Sequence, residues 1–464
     1  MAEPLALDLS SPRRIHVVGV GGKAMSAIAT VLAAMGHRVS GSDLKPPPEA
    51  ERLRSLGVEL AVGHDAAHVG DAEVLAVSTA VPVTNPELAW AREHGIPVLR
   101  RAEVLAAVLA TRRAVGVAGT HGKTTTSSML ALVLVEAGLR PSFLIGGHLN
   151  EVGSGAAWDE GEWVVAEADE SDGTFVELPL EAGIVTSIEP DHLEHYGGSF
   201  DNLVDAFGRF LDGLPGPRVV CADDPVAARL AAAHGAVTYG TAEGADYRMT
   251  GVVSGRSSVR FQVEHGGEAL GEVALPVPGL HNARNACAAL AAGLALGAPF
   301  EAAAAALGRF GGVARRFQFR GERDGVSFVD DYAHLPGEVR SALAAARAGG
   351  WRRVVCAFQP HRYSRTASLA PSFADAFVDA DLVVLTDVYA EGEPARPGVT
   401  GKLVVDAVLD AHPEARVAYL PGRQEVAPYL RRALRPGDVC VSLGAGDITL
   451  LPDELLRAPP RSSP

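Results

Sequence analysis

The chain has 464 residues, a formal net charge of −15, four widely spaced cysteines and only four lysines, Lys23, Lys45, Lys123 and Lys402. That acidic balance argues against a nucleic-acid surface, which needs a basic face, and the cysteine spacing offers neither a CxxC metal site nor a disulfide framework. No apolar run reaches the roughly 18 residues a bilayer span needs and the N-terminus lacks a basic signal-peptide segment, so a cytoplasmic enzyme of about three domains without membrane insertion is expected.

The first segment reads as a βαβ unit. Residues 14–20 form an apolar strand, Gly21-Gly22 a turn, residues 25–35 a helical pattern ending at Gly36, and residues 37–41 a second strand leading to Ser42-Asp43. Strand-like runs at 74–77 and 96–99 alternate with helical patterns, which predicts a parallel doubly wound sheet. A helical pattern over 102–110 precedes a new strand starting at Arg112. Apolar strands follow at 163–168 and 183–188, then hairpin-like material at 252–264 and 268–275, and an alanine-dense helical stretch over 281–307. A break at Gly311-Gly312 precedes a second βα alternation, with strands at 326–331, 353–358, 382–388, 417–420 and 439–443 and a helix at 338–347. The expected fold class is α/β in three domains, at residues 1–110, 111–313 and 314–464. The first and last would be Rossmann-like and the central one a P-loop domain with a mostly parallel sheet.

The strongest single signal is Gly119-Thr120-His121-Gly122-Lys123-Thr124-Thr125-Thr126, placed where an apolar strand gives way to a helical pattern opening at Thr125. Such a turn aims backbone N–H groups and a helix N-terminus at one point, which favours a bound phosphate. In a chain that relies on arginine, Lys123 suits contact with β/γ-phosphates, and Thr124 can offer its hydroxyl to Mg²⁺. Two later strands end in acid: Glu167-Ala168-Asp169-Glu170-Ser171-Asp172 supplies hard oxygens for Mg²⁺, and Glu189-Pro190-Asp191-His192 places a histidine in the same position. Gly19-Val20-Gly21-Gly22 is an incomplete dinucleotide fingerprint, with Ala24 where a third glycine would stand and Asp43 near the ribose-acid spacing. A phosphate-bearing ligand fits this turn without requiring NAD. In the last segment, Asp330-Asp331-Tyr332-Ala333-His334 and Gln359-Pro360-His361-Arg362-Tyr363-Ser364-Arg365 close successive strands. Two histidines, two arginines and paired acids there can hold a zwitterion, arginine gripping the carboxylate in a bidentate way.

The ordered set GVGGKAMSAIA, GTHGKTTT, EADESD, IEPDH, HNARNA, RRF, DDYAH, FQPHRYSRT and GAGDIT resembles the Mur ligase family along nearly the whole chain. The resemblance implies an ATP-dependent amide-forming ligase of peptidoglycan assembly that joins L-alanine to the lactyl carboxylate of UDP-N-acetylmuramate through an acyl phosphate. It implies ATP and Mg²⁺ as cofactors, with Gly119, Thr120, His121, Gly122, Lys123, Thr124 and Thr125 on the phosphates. His281, Asn282 and Asn285 would line the adenine, and Thr124, Glu167 and His192 would serve the metal. Arg316 and Asp331 would reach the nucleotide and act with Lys123 and His192 in catalysis. Gly19, Gly21, Gly22, Asp43, Ser78 and Thr79 would face the UDP-sugar; Tyr332, His334, His361, Arg362 and Arg365 would hold alanine. Three features depart from the family pattern, the first being Ala24, where the family usually has a second glycine. Leu335 follows His334 where the family usually has a second histidine, and the absence of lysine between Lys123 and Lys402 removes the carbamylated-lysine metal bridge some relatives use. A ligase that recycles a preformed tripeptide, an NAD-dependent oxidoreductase and a P-loop switch protein are the competing readings. Oligomeric state, monomer or dimer, stays open.

Overall fold

A computed structural model of the chain describes residues 7–457 except 79 and 150–152, and at position 148 the backbone alone. Three sheets carry the fold. The first is fully parallel in the order β3-β2-β1-β4-β5, built from β1 (Arg14–Val18), β2 (Arg38–Asp43), β3 (Glu59–Val62), β4 (Val74–Val77) and β5 (Val98–Arg100). The second contains β6 (Arg113–Ala118), β7 (Ser142–Leu149), β8 (Ser154–Ala157), β9 (Trp163–Glu167), β10 (Ala182–Val185), β11 (Arg218–Cys221), β12 (Val237–Gly240) and β13 (Tyr247–Ser254), in the order β13-β12-β11-β10-β6-β9-β7-β8. Only β7 and β8 pair antiparallel among these. β14 (Val259–His265) and β15 (Glu268–Leu275) follow along the chain. The third sheet joins β16 (Gln318–Arg323), β17 (Val326–Asp331), β18 (Arg353–Phe358), β19 (Leu382–Leu385), β20 (Val417–Tyr419) and β21 (Asp438–Leu443) in the order β16-β17-β21-β18-β19-β20, parallel except at β16–β17.

By internal contacts the chain forms two compact units, one of Met1–Thr250, Gln262–Val273 and Arg284–Phe310, the other of Gly251–Phe261, Ala274–Ala283 and Gly311–Pro464. In the first unit one continuous core links the first and second sheets through Ile28, Leu144, Phe175 and Phe207. In the other, both faces of the third sheet are packed, with Phe358 and Leu343 on one side and Phe328 and Leu430 on the other. The central strands are therefore continuous apolar runs, as buried parallel strands must be. All four cysteines are buried free thiols. Among the described residues no helix is long and apolar enough to cross a membrane.

Four sequence expectations shift for local reasons. The first strand stops at Val18 rather than at 20, because Gly19 turns the chain at φ +83°. The helix after the P-loop begins at Lys123 rather than Thr125, its N-cap being Gly122 at φ +82°. The 281–307 stretch is two helices, Leu280–Ala295 and Phe300–Gly308, separated by Gly297 at φ +100° and Pro299. The hairpin-like 252–264 run divides into the end of β13 and all of β14, around a turn closed by Gly255 N–H donating to Ser258 O at 2.8 Å.

Candidate functional site

The P-loop closes over the carboxyl end of β6. Gly119 sits at φ +129°, and a Cβ there would lie 2.1 Å from Thr186 Oγ1. Gly122, at φ +82°, would place one 2.6 Å from Asn285 Oδ1. Both positions therefore demand glycine. The end of β10 braces the loop: Thr120 N–H donates to Ser187 O at 2.9 Å, His121 N–H to Ser187 Oγ at 3.1 Å, and Thr186 Oγ1 to His121 O at 2.5 Å. Lys123 folds back over this frame. Its Nζ donates to Gly119 O at 2.8 Å and to both carboxylate oxygens of Glu170 at 2.9 Å. Burial works against its charge, but Glu170 and Asp169 outweigh it and hold the ammonium protonated. Glu170 stands in the acidic stretch already noted, yet its pairing with Lys123 has no signal in the spacing.

Three other predicted residues share that unit. Glu167 ends β9 and accepts from Gly146 N–H at 2.7 Å. Thr124 is the second residue of the helix Lys123–Glu136. His192, at φ +51°, lies 3.3 Å from Asp191 and caps a short 3₁₀ turn. Among the described residues no group of three or more His, Cys, Asp or Glu is arranged to hold a metal by itself. Asn285 is buried against Gly122, and His281 and Asn282 occupy the first turn of the same helix, Asn282 donating to Pro278 O at 2.7 Å.

The Gly19–Gly22 turn hangs on the end of β2. Gly19 and Val20 donate their amides to Ser42 O at 2.8 and 3.1 Å, and Gly21 donates to Asp43 Oδ2 at 2.9 Å. Asp43 thus shapes the turn as well as facing it, and a Cβ on Gly21 would lie 2.8 Å from that oxygen. Ser78 follows β4, donates its amide to Val18 O and abuts Gly19. Thr79 lies outside the described residues. A cleft lined by Ala24, Ile28, Arg101, Gly146, Glu167 and Asp169 opens nearby in the same unit.

In the second unit the third-segment residues converge. Tyr332 meets His334 edge-on at 5.3 Å between ring centroids, His334 meets His361 at 5.5 Å, and His361 stacks on Tyr389 at 6.0 Å. Arg365 Nη1 lies 3.2 Å from His361 Nδ1. Arg315 and Arg316 lie over the Tyr332 ring at 4.9 and 5.5 Å. Burial pushes the His334 imidazole below its ordinary value, and burial together with His334, Arg365 and Arg362 brings His361 down to about 3. Both rings are therefore neutral at physiological pH. Arg362, at φ +66°, gives its amide to Tyr389 O at 2.8 Å, and Glu393 caps the following helix through Ser364 N–H at 2.9 Å and Ser364 Oγ at 2.5 Å. Asp331 is buried and uses both oxygens on backbone amides, those of Phe317 at 2.6 Å and Ala333 at 2.7 Å. Its pKa rises to about 6, chiefly from burial and against the pull of Arg316. Sequence reasoning missed Tyr389, Glu393 and Glu338, whose carboxylate lies 3.3 Å from His334 and 3.7 Å from Arg316.

The described residues thus bring together a P-loop-type strand–turn–helix, a glycine turn on a parallel sheet and, in the other unit, a compact arginine–histidine–tyrosine cluster, the features of an enzyme rather than of a structural protein. The family descriptions that match are "Mur ligase family, catalytic domain" over residues 14–113, "Mur ligase middle domain" over 117–293 and "Mur ligase, glutamate ligase domain" over 315–446. A UDP-N-acetylmuramate–L-alanine ligase of Rubrobacter xylanophilus is 48% identical over 96% of this chain and 99% of its own length. The protein of that name from Pelotomaculum thermopropionicum is 44% identical over 97% and 98%. The crystal structure of UDP-N-acetylmuramate-alanine ligase from Thermotoga maritima superposes with a TM-score of 0.81 at 30% identity, covering 96% of this chain and 98% of that one. This chain belongs to the Mur ligase family, and its architecture is the family's three-domain α/β fold with mostly parallel sheets.

Proposed function

We propose that this chain is the ATP-dependent ligase that joins L-alanine to the lactyl carboxylate of UDP-N-acetylmuramate in cytoplasmic peptidoglycan synthesis. The observation that carries the reading is full-length identity of 48% to a relative of that name. The geometry agrees with it, because the chain holds a preformed P-loop and, separately, a neutral-histidine pocket with arginine beside it. We assign the UDP-sugar to a domain at residues 1–110, ATP to 111–313 and alanine to 314–464.

A carboxylate is a poor electrophile, so the lactyl group must first be phosphorylated by ATP. The P-loop amides and Lys123 would offset charge on the transferring phosphoryl group, in a frame already organised before substrate arrives. In this reading His121 and Thr120 brace the loop, and Asn285 fixes its closing glycine. For Mg²⁺ the available donors fit: a carboxylate at Glu167, a hydroxyl at Thr124 and few further protein ligands suit an ion that keeps waters and binds substrate phosphates. His192 would stand at its margin. When bound, the ion supplies Lewis-acid neutralisation of phosphate charge.

Alanine would place its carboxylate on Arg365 and Arg362 and its amino group toward His334, His361 and Tyr332. The amine must be neutral to attack; rings held unprotonated can accept hydrogen bonds from it without repelling the incoming ammonium, the proton it sheds passing to water. Asp331 would act at one remove, holding the turn that carries Arg316.

The test incubates the protein with ATP, Mg²⁺, UDP-N-acetylmuramate and single amino acids, following phosphate release and product mass. The expected result is phosphate release dependent on both sugar and alanine, with a mass gain of one alanyl residue. Phosphate release without either acceptor, or no alanyl product, would overturn the proposal.

A further inference from the structure

Beneath the glycine turn lies a polar cluster outside the ligand contacts proposed above. The Glu87 side chain is fully buried, at 0% exposure. One of its oxygens accepts from Ser42 Oγ at 2.7 Å and His64 Nδ1 at 3.0 Å, and the other from His68 Nδ1 at 3.2 Å, with His16 Nε2 at 3.7 Å. A carboxylate can only accept, so His64 and His68 both carry their proton on Nδ1. The charge sits in the first turn of the helix Pro86–Glu93, beside the Asn85 cap, where the helix end favours it. Burying a carboxylate is costly, and an apolar side chain would serve packing alone at less expense. The cluster therefore calls for a role besides packing.

What it holds indicates that role. Ser42, fixed through its hydroxyl, is the residue whose carbonyl receives the amides of Gly19 and Val20. Its neighbour Asp43 receives Gly21. On the other side, the helix that carries Glu87 continues from Val81, whose side chain, together with Ser78, abuts Gly19. Val81 N–H donates to Ser78 O and Asn85 N–H to Pro82 O, tying this segment to the helix start. Both walls of the Gly19–Gly22 turn thus run back to one buried carboxylate, directly through Ser42 and along the chain from Val81 through the Asn85 cap.

We propose that Glu87, with His64 and His68, is a positioning unit for the UDP-sugar loop: through Ser42 and the Val81–Asn85 segment it fixes the Gly19–Gly22 amides, and so sets affinity for the diphosphate-bearing substrate without touching it. The inference rests on the assignment of UDP-N-acetylmuramate to that turn. The comparable case is the layer of residues behind metal ligands, whose loss costs about 10–100-fold in affinity.

The test uses the full-length protein, with UDP binding by calorimetry and steady-state kinetics for all three substrates. Glu87→Gln keeps size and one acceptor but loses the charge. It should raise the UDP Kd and the KM for UDP-N-acetylmuramate about tenfold, while kcat at saturating sugar and the KM values for ATP and alanine stay within about twofold. Ser42→Ala, which removes only the hydroxyl and carries the test if the Glu87 variant fails to fold, should move the same two constants in the same direction by a smaller factor. Unchanged UDP affinity in either folded variant, or equal loss for sugar, ATP and alanine, would overturn the inference as an effect on stability alone. If the wild-type protein binds no UDP, the assignment of the turn fails first, and this inference with it.

Discussion

The P-loop and the Tyr332–His334–His361 cluster are built on opposite plans. The first is a backbone device: glycines at φ +129° and +82° set the path of the loop, and one lysine, held by Glu170, folds over it. The second is a side-chain device, in which Tyr332, His334, His361, Tyr389 and the arginines fix one another by ring and guanidinium contacts. A backbone device tolerates side-chain change around it but not an added Cβ. A side-chain device tolerates backbone adjustment but depends on each group's charge state and rotamer.

The sharpest way to break that contrast is Lys123→Ala. The P-loop frame should survive, because its bracing runs through Thr120, His121 and Thr186. Ligation should fall by at least about 10²–10³-fold, the scale of losing a preorganised transition-state donor. UDP binding, measured separately, should be nearly unchanged; parallel loss of both would show that the nucleotide and sugar sites are not divided as proposed.

Gly119→Ala attacks the frame itself. The new methyl would sit 2.1 Å from Thr186 Oγ1 at a φ that L-residues rarely adopt. A stability loss of about 1–3 kcal/mol is expected from the strained backbone alone, read as a lower melting midpoint, together with loss of the ATP-dependent rise in that midpoint. An ATP shift equal to wild type would mean the loop can be rebuilt around a side chain.

In the pocket, Arg365→Lys keeps charge and loses the planar fork that reaches His361. The KM for alanine should rise about tenfold, since lysine cannot reproduce bidentate carboxylate binding, with the KM for ATP unchanged. An alanine KM within twofold of wild type would remove Arg365 from the substrate.

Much of this was legible in the residues. β17 and β18 matched their expected bounds, and β21 began one residue earlier than expected, because strands packed on both faces must be continuous apolar runs. The sequence does not announce β7 and β8, since Gly146, Gly147 and Gly155 interrupt any alternation, nor β16, none of whose residues is buried. The helix Phe200–Asp212 was readable from its Ser199 cap and its apolar spacing and was passed over. At the site, motif residues were found because their chemistry is concentrated in short strings. Glu170, Tyr389 and Glu393 escaped because their meaning lies in a partner far along the chain, Lys123, His361 and Ser364 respectively. The Glu87 cluster is the extreme case. Its members, at 16, 42, 64, 68 and 87, meet only through the crossovers of the parallel sheet.

The smallest expected effect tests whether the pocket is a charge-state device at all. His361 is a base whose folded pKa, about 3, lies below its ordinary 6.5, through burial first and then through His334, Arg365 and Arg362. Between those two values the unfolded chain takes up a proton that the folded chain refuses, so His361 lowers stability progressively as pH falls from about 6.5 toward 3. At higher pH its contribution is flat. His361→Gln cannot titrate, so its acid-unfolding midpoint, followed by circular dichroism, should move to lower pH than wild type. The pH profile of the alanine KM should then show no His361 inflection near 6.5. An inflection there that vanishes in the Gln variant would mean the ring titrates normally, and that stacking on Tyr389 does not keep the pocket dry enough to hold an uncharged imidazole.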